Sequence, residues 1–198
     1  MDERHLLNGL MKAVAEEKSE YVVRPFFPGM KKFAAFAYVA ERFGYRYMGH
    51  APGNAALNNP YFLFQRTPDA RERAAATMAS RPGPPGGYAL PGMMPGRGLT
   101  PDAAAQPEVD LLYSQMIIDA CGRYNPRVLS NVLLFPVVAA IFLIFPGYTA
   151  EHVLIAGGIW LVFIALYLVG LAVTRYRRAK HLARLSVAGV EWPPRAAV

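Results

Sequence analysis

The side chains best suited to chemistry are few in this chain and far apart. They are His5, His50, Cys121, His152 and His181. A metal site needs several such ligands at close, regular spacing, and a nucleophilic cysteine needs a histidine partner in a recognisable arrangement. The one Lys-Ser pair, Lys18-Ser19, has no glycine-rich loop before it, so it does not match a phosphate-binding loop. We therefore predict a non-enzymatic protein with no cofactor and no metal.

Two weaker chemical candidates are His50 and Cys121. His50 follows a predicted strand, where an acid–base role competes with the simpler interpretation of a surface histidine. Cys121 precedes Arg123 and Arg127, whose positive charges would lower its pKa. Neither residue has the partners that would complete a catalytic site, so an enzyme is the least favoured function class.

Apolar residues make up 54% of the chain, slightly more than is usual for a soluble protein, and the excess lies in two C-terminal segments. Residues 153–173 carry no charge and would span about 31 Å as a helix, close to the thickness of a bilayer core. Residues 128–147 are similarly apolar but include Ser130, Asn131 and Pro136. The fold class predicted is a membrane protein, in which a two-helix transmembrane hairpin at residues 128–173 follows a small N-terminal cytoplasmic α+β module. One span beside a buried core helix is the alternative.

Small residues recur every seven positions in the second predicted span, at Gly158, Ala165 and Ala172. Small side chains on one helix face allow another helix to approach closely. The expected partner is the first span, near Ala139 and Ala140. A homodimer or a foreign membrane subunit is the alternative.

Basic residues flank the predicted hairpin but are missing from its connection, residues 146–152. Arg123 and Arg127 precede the first span. The group that follows the second span comprises Arg175, Arg177, Arg178, Lys180 and Arg184. This asymmetry predicts that both termini face the cytoplasm. Arg outnumbers Lys 16 to 5 and Ala reaches 30 residues, a bias familiar from bacteria with GC-rich genomes, so the predicted membrane is a bacterial inner membrane. The basic group either contacts anionic lipid or simply fixes the topology.

The first 80 residues show the patterns of a small α+β module. Apolar residues at helical spacing predict helices over residues 2–20, 30–43 and 67–80. Alternating patterns predict strands over residues 21–24, 45–48 and 61–65, the last two joined by a long hairpin connection. Many aromatic residues fall between positions 26 and 64. We expect them to fill the core, with an aromatic docking surface as the alternative.

Three further segments complete the predicted organisation. Residues 81–107 are rich in Pro and Gly and are predicted to be a disordered linker. Residues 108–127 have an apolar stripe and are predicted to be a juxtamembrane amphipathic helix that packs against protein. Residues 174–198 form a basic cytoplasmic tail, with a frayed end at residues 191–195.

The sequence therefore favours a membrane-anchored adaptor or scaffold that holds a cytoplasmic partner at the inner membrane. The alternative is an accessory subunit of a larger membrane secretion or transport complex. Expected partners are membrane lipid and a protein that the sequence does not identify, with a homodimer as a further option. Nucleic acid is not expected, because the net charge of +7 is concentrated next to the membrane rather than on the module.

Overall fold

The computed structural model describes residues 3–23, 29–51, 61–80, 90–122 and 149–192. Within these ranges the chain forms five helices and three strands. They are α1 (Glu3–Ala15), β1 (Glu20–Val23), α2 (Met30–Arg42), β2 (Tyr45–His50), β3 (Phe62–Arg66), α3 (Ala70–Ser80), α4 (Gln106–Gly122) and α5 (Ala150–Val187). The predicted α+β module followed by a long apolar helix is confirmed.

The three strands form one antiparallel sheet in the order β1–β3–β2. Phe64 of β3 pairs with Tyr21 on one side and with Tyr47 on the other. Between Tyr47 and Gly49 the register with β3 shifts, because β2 carries a bulge there. The adjacent, antiparallel β2 and β3 agree with the predicted hairpin, of whose connection residues 52–60 lie outside the described residues.

The aromatic residues of the module fill its core, as expected. Those that are fully buried are Phe33, Phe36, Tyr45, Tyr47, Phe62 and Phe64. The apolar stripe of α1 meets them through Leu6, Leu10 and Ala13. Large rings supply much apolar area per residue, which explains how so short a sheet sustains a core.

Helix α2 is buried on more sides than its pattern predicts. The predicted core face includes Phe33, Phe36 and Ala40, yet Ala35 and Val39 are buried as well. A second layer of chain must therefore cover the other side of α2. Part of that layer comes from the segment that the sequence predicts to be a disordered linker.

The linker prediction is wrong for residues 90–105. Met93 and Leu99 are 3% and 2% exposed and belong to the module core. Met93 forms a β-bridge with Pro101, and the backbone N–H of Leu99 donates to Glu3 Oε2 over 3.1 Å. The glycines serve tight turns rather than disorder: Gly92 has a φ of +68° and leaves no room for a side chain beside Tyr38. Residues 81–89 of the predicted linker lie outside the described residues.

A pair of substitutions tests this ordered segment. Leu99→Ala should lower the free energy of unfolding by about 2 kcal/mol, because it opens a cavity in the core. Met94→Ala, at a half-exposed side chain of the same segment, should change it by less than about 0.5 kcal/mol. Urea denaturation of both variants measures the difference. Equal, negligible effects would restore the disordered interpretation.

Helix α4 is a core helix of the module. Val109, Leu112 and Met116 lie in the same core cluster as the sheet residues. The described part of this helix packs against protein, and the module extends well beyond residue 80. Residues 123–127 of the predicted juxtamembrane helix lie outside the described residues.

Helix α5 is longer than the predicted second span. It begins at Ala150 and continues without a break into the predicted basic tail, where it ends at Val187. Thr149 precedes its first turn, and the backbone N–H of His152 donates to Thr149 Oγ1. Among the described residues, α5 is the one helix that is long and apolar enough to cross a membrane. The predicted first span, residues 128–147, lies outside them.

The chain divides into two compact units. The first joins Met1–Asp119 to the C-terminal stretch His181–Val198, and the second is Ala120–Lys180. The end of α5 and the residues after it are thus part of the unit that holds the sheet. This return of the C-terminal residues to the module creates the site described next.

Candidate binding site under the C-terminal tail

The residues after α5 form an ordered tail on the module. Leu185 is 1% exposed, and the backbone N–H of Val190 donates to its carbonyl oxygen over 2.9 Å. Gly189, with a φ of +70°, turns the chain after the helix end, as a glycine at this position commonly does. The predicted frayed end is therefore wrong for Glu191 and Trp192, whereas residues 193–195 lie outside the described residues.

Trp192 sits in what we call the indole slot, formed by Tyr47, Gly49 and Asp119. Its ring is nearly parallel to the Tyr47 ring, at 12° and with centroids 5.6 Å apart. The indole N–H donates to Asp119 Oδ1 over 2.9 Å, and the Tyr47 hydroxyl donates to Oδ2 over 2.8 Å. The carboxylate therefore links the sheet, α4 and the tail through charge-assisted hydrogen bonds.

Gly49 gives the slot its clearance. A Cβ atom at this position would lie 3.3 Å from Asp119 Oδ2 and 3.9 Å from the Trp192 ring. The φ of Gly49 is +98°, which residues with a side chain rarely adopt. Because Gly49 has no side chain and lies at the bulge of β2, the carboxylate of Asp119 is able to approach the sheet closely.

The position of Asp119 follows from the periodicity of α4. Leu112, Met116 and Asp119 are spaced by four and three residues, so they share the face that packs on the module. Sequence reasoning counted this acid only among the charges that disfavour contact with anionic lipid, and gave it no role in the packing of the helix. An acidic residue on a core-facing stripe was the available signal, since such a group requires hydrogen-bond partners.

A cavity of about 380 Å³ lies beside the slot, within the same unit. We call it the tail cavity. Its apolar lining comes from Leu111, Leu112, Val190 and Trp192. Its polar lining comprises Glu41, Arg46, Thr67, Arg73, Glu108 and Gln115. The volume falls in the range of sites for small molecules or for a few peptide side chains.

The charges around the tail cavity are balanced by nearby partners. Arg42 donates to both carboxylate oxygens of Glu108, over 3.0 and 3.2 Å. Arg73 of α3 donates to Asp69, which directly precedes that helix, over 2.6 Å. The rim therefore presents both signs, which favours a ligand with mixed polar groups over a strongly charged one.

Glu41 is the rim acid most affected by its surroundings. Burial raises the pKa of its carboxyl group, while the charge of Arg46 and the backbone N–H of Tyr47 oppose that shift only in part. A carboxylate that is held in a partly desolvated cavity destabilises the native state when it ionises.

The pH dependence of stability tests the state of Glu41. Its contribution is fully present below the ordinary glutamate pKa of 4.5 and is lost as the pH rises through the raised native pKa. Glu41→Gln should therefore be more stable than wild type at pH 8 and lose this advantage near pH 4. Urea midpoints at the two pH values measure it. The exposed Glu72→Gln serves as the control, and a less stable Glu41→Gln at pH 8 would contradict the account.

The two weaker chemical candidates, His50 and Cys121, are both partly buried. The His50 ring stacks on Phe62, with centroids 5.0 Å apart. Burial raises the pKa of the Cys121 thiol, and the charges of Arg177 and Arg178 counter this only in part. The lowered pKa considered for Cys121 is therefore not found, and its thiolate is disfavoured. Among the described residues, no cluster of His, Cys, Asp or Glu side chains is suited to a metal ion.

The residues predicted for helix packing and lipid contact lie on α5. Gly158, Ala165 and Ala172 are exposed. Apart from Ala156, the half-buried residues of the apolar part follow another face, at Gly157, Trp160, Ile164, Tyr167, Leu171 and Thr174. The predicted basic group is exposed throughout, at Arg175, Arg177, Arg178, Lys180 and Arg184. Ala139 and Ala140, the expected packing partners, lie outside the described residues.

Comparisons of the chain with protein-family models, with curated proteins and with solved structures find no match.

Proposed function

We propose that this protein is a membrane-anchored adaptor or scaffold of the bacterial inner membrane. The module, built from residues 3–119 and the C-terminal tail, holds a cytoplasmic protein partner. Helix α5 and residues 128–147 form the transmembrane hairpin that anchors it. The proposed role is non-enzymatic and involves no nucleic acid.

The exposure of α5 is the observation that carries the anchoring role. Eleven large apolar side chains between Val153 and Val173 are at least 44% exposed, with Leu154 reaching 76%. Exposed apolar side chains around a helix are unfavourable in water but favourable in a lipid core. The described surface of the module has no comparable group of exposed apolar side chains, and its exposed large apolar residues are scattered.

The basic group supports the proposed topology. Its five side chains are exposed and follow the apolar part of α5 within a few turns. Basic residues next to a span favour the cytoplasmic side and interact with anionic lipid headgroups. Both termini of the protein are accordingly proposed to be cytoplasmic.

The alternative function is an accessory subunit of a membrane secretion or transport complex. One observation favours it: Gly158, Ala165 and Ala172 lie on an exposed face of α5. Such a face admits a helix from another subunit or from a second copy of the chain. In that case the partner contacts would lie in the membrane rather than on the module.

An exchange of the anchor distinguishes the two functions. Residues 128–173 are replaced by an unrelated helical hairpin, and partners are recovered by crosslinking and affinity purification from native membranes. The adaptor role predicts that the recovered partner remains. A second variant, Gly158→Leu with Ala165→Leu, should also retain it, because the added bulk affects helix packing alone.

Loss of the partner in both variants, with normal insertion and an intact module, would replace the adaptor role with the subunit role. Matched expression and resistance of the module to limited proteolysis are the controls. They separate loss of contact from loss of folding.

A further inference from the structure

We propose that the indole slot and the tail cavity form a peptide-recognition site for a tryptophan-bearing segment of the partner protein. Trp192 occupies this site within the chain as an internal competitor. The identity of the site as a partner site rests on the proposed adaptor function. Its preference for an indole rests on the contacts of Trp192 alone.

The slot matches an indole in shape and in hydrogen bonding. Tyr47 offers a flat ring, and Asp119 places one carboxylate oxygen 2.9 Å from the indole nitrogen. The other oxygen accepts from the Tyr47 hydroxyl, which fixes the orientation of the carboxylate. A phenylalanine in the slot would stack but would offer no N–H donor, so it would bind less tightly.

The tail fills only one end of the site. Trp192 and Val190 form one wall of the tail cavity, and about 380 Å³ beside them remains open. A segment that places tryptophan in the slot and a neighbouring apolar side chain against Leu111 and Leu112 would fill both parts. It would therefore bury more apolar area than the tail does.

The tail has an advantage over an incoming segment, because Trp192 is covalently connected to α5 and stays near the slot. A short connection from α5 gives Trp192 an effective concentration of the order of millimolar at the slot. An incoming segment binds only to the fraction of molecules whose slot is open, so its apparent affinity is reduced by that fraction. Removing Trp192 should therefore strengthen binding of a tryptophan segment from outside.

The test uses the full chain in detergent micelles and a defined probe. The probe is a fluorescein-labelled peptide with the sequence of residues 188–198, AGVEWPPRAAV. Fluorescence anisotropy should show at least tenfold tighter binding to Trp192→Ala than to wild type. The double variant Asp119→Ala with Trp192→Ala should bind the probe at least fivefold more weakly than Trp192→Ala does, because the indole N–H then lacks its acceptor.

Matched probes control for nonspecific binding to the micelle. The peptide with alanine in place of tryptophan should not bind Trp192→Ala, and the phenylalanine peptide should bind at least fivefold more weakly. If Trp192→Ala does not fold, Trp192→Phe keeps the ring but lacks the N–H donor, so it competes less well and the probe should bind it about fivefold more tightly than wild type.

Two results would overturn the proposal. One is failure of the probe to bind a folded Trp192→Ala or Trp192→Phe chain. The other is equal binding of the tryptophan and alanine peptides. Neither result depends on recovering a cellular partner, so the peptide experiment is able to disprove the indole site without disproving the adaptor function. Conversely, loss of the partner on anchor exchange leaves the peptide result unchanged.

Discussion

Phe64→Ala should lower the free energy of unfolding of the module by about 3–5 kcal/mol, the largest effect expected of any substitution in the sheet. Phe64 is fully buried at the centre of the middle strand. Its ring lies 5.7 Å from the rings of both Phe36 and Tyr47, measured between centroids. The substitution therefore removes apolar area and the aromatic contacts together.

The neighbouring Leu63 provides a matched control for Phe64. Successive residues of a strand point to opposite faces, and Leu63 is only partly buried. Leu63→Ala should lower stability by about 1 kcal/mol or less. Urea denaturation in a Trp160→Phe background follows both variants, because Trp192 is then the sole tryptophan and reports on the module. Equal effects of the two substitutions would contradict the described sheet packing.

Leu161→Arg should sharply reduce membrane integration of α5. An arginine near the centre of a spanning helix is unfavourable by about 2.5–3.5 kcal/mol, and the leucine it replaces contributes favourably. Leu161 is 63% exposed in the middle of the apolar part. Alkaline extraction of isolated membranes measures the expected shift of the chain from the membrane pellet to the supernatant.

Leu182→Arg is the matched control on the same helix. Leu182 lies after the basic group and is 37% exposed, so its substitution should leave integration unchanged. If both arginine variants stay in the membrane pellet to the same extent, the charge at the centre of α5 has no effect on integration. That result would contradict the proposal that α5 spans the membrane.

The elements of the module were predictable because their local patterns agree with their packing. The stripe of α1 and the alternation in β2 each point to the face that the structure buries. The helix end at Gly44 followed from the same reasoning, since its φ of +83° is typical of the residue after a helix. Local periodicity is sufficient when one face of an element meets one core.

The ordered segment at residues 90–105 was not predictable from composition. Its Pro and Gly content resembles that of a disordered chain, but Met93 and Leu99 are buried in the module core and Gly92 lies against Tyr38 of α2. Buried residues of α2 outside its predicted face include the small Ala35, whose type does not indicate a contact. The order of this segment arises from contacts between distant parts of the chain, which a local pattern does not contain.

The candidate site depends on distant contacts to an even greater extent. Tyr47, Asp119 and Trp192 are separated by 72 and 73 residues and meet only in the folded unit. The sequence identified Tyr47 as a strand residue and left the other two without a role. The presence of an acid on an apolar stripe and of a tryptophan near the chain end were signals, but neither named its partner.

Site-specific photo-crosslinking in native membranes tests the central claim most directly. A photoreactive residue replaces Arg46, an exposed residue that lines the tail cavity, or Leu154, the most exposed large residue of the apolar part of α5. The adaptor account predicts a light-dependent adduct with another protein at position 46 and none at position 154. A protein adduct at position 154 with none at position 46 would contradict it.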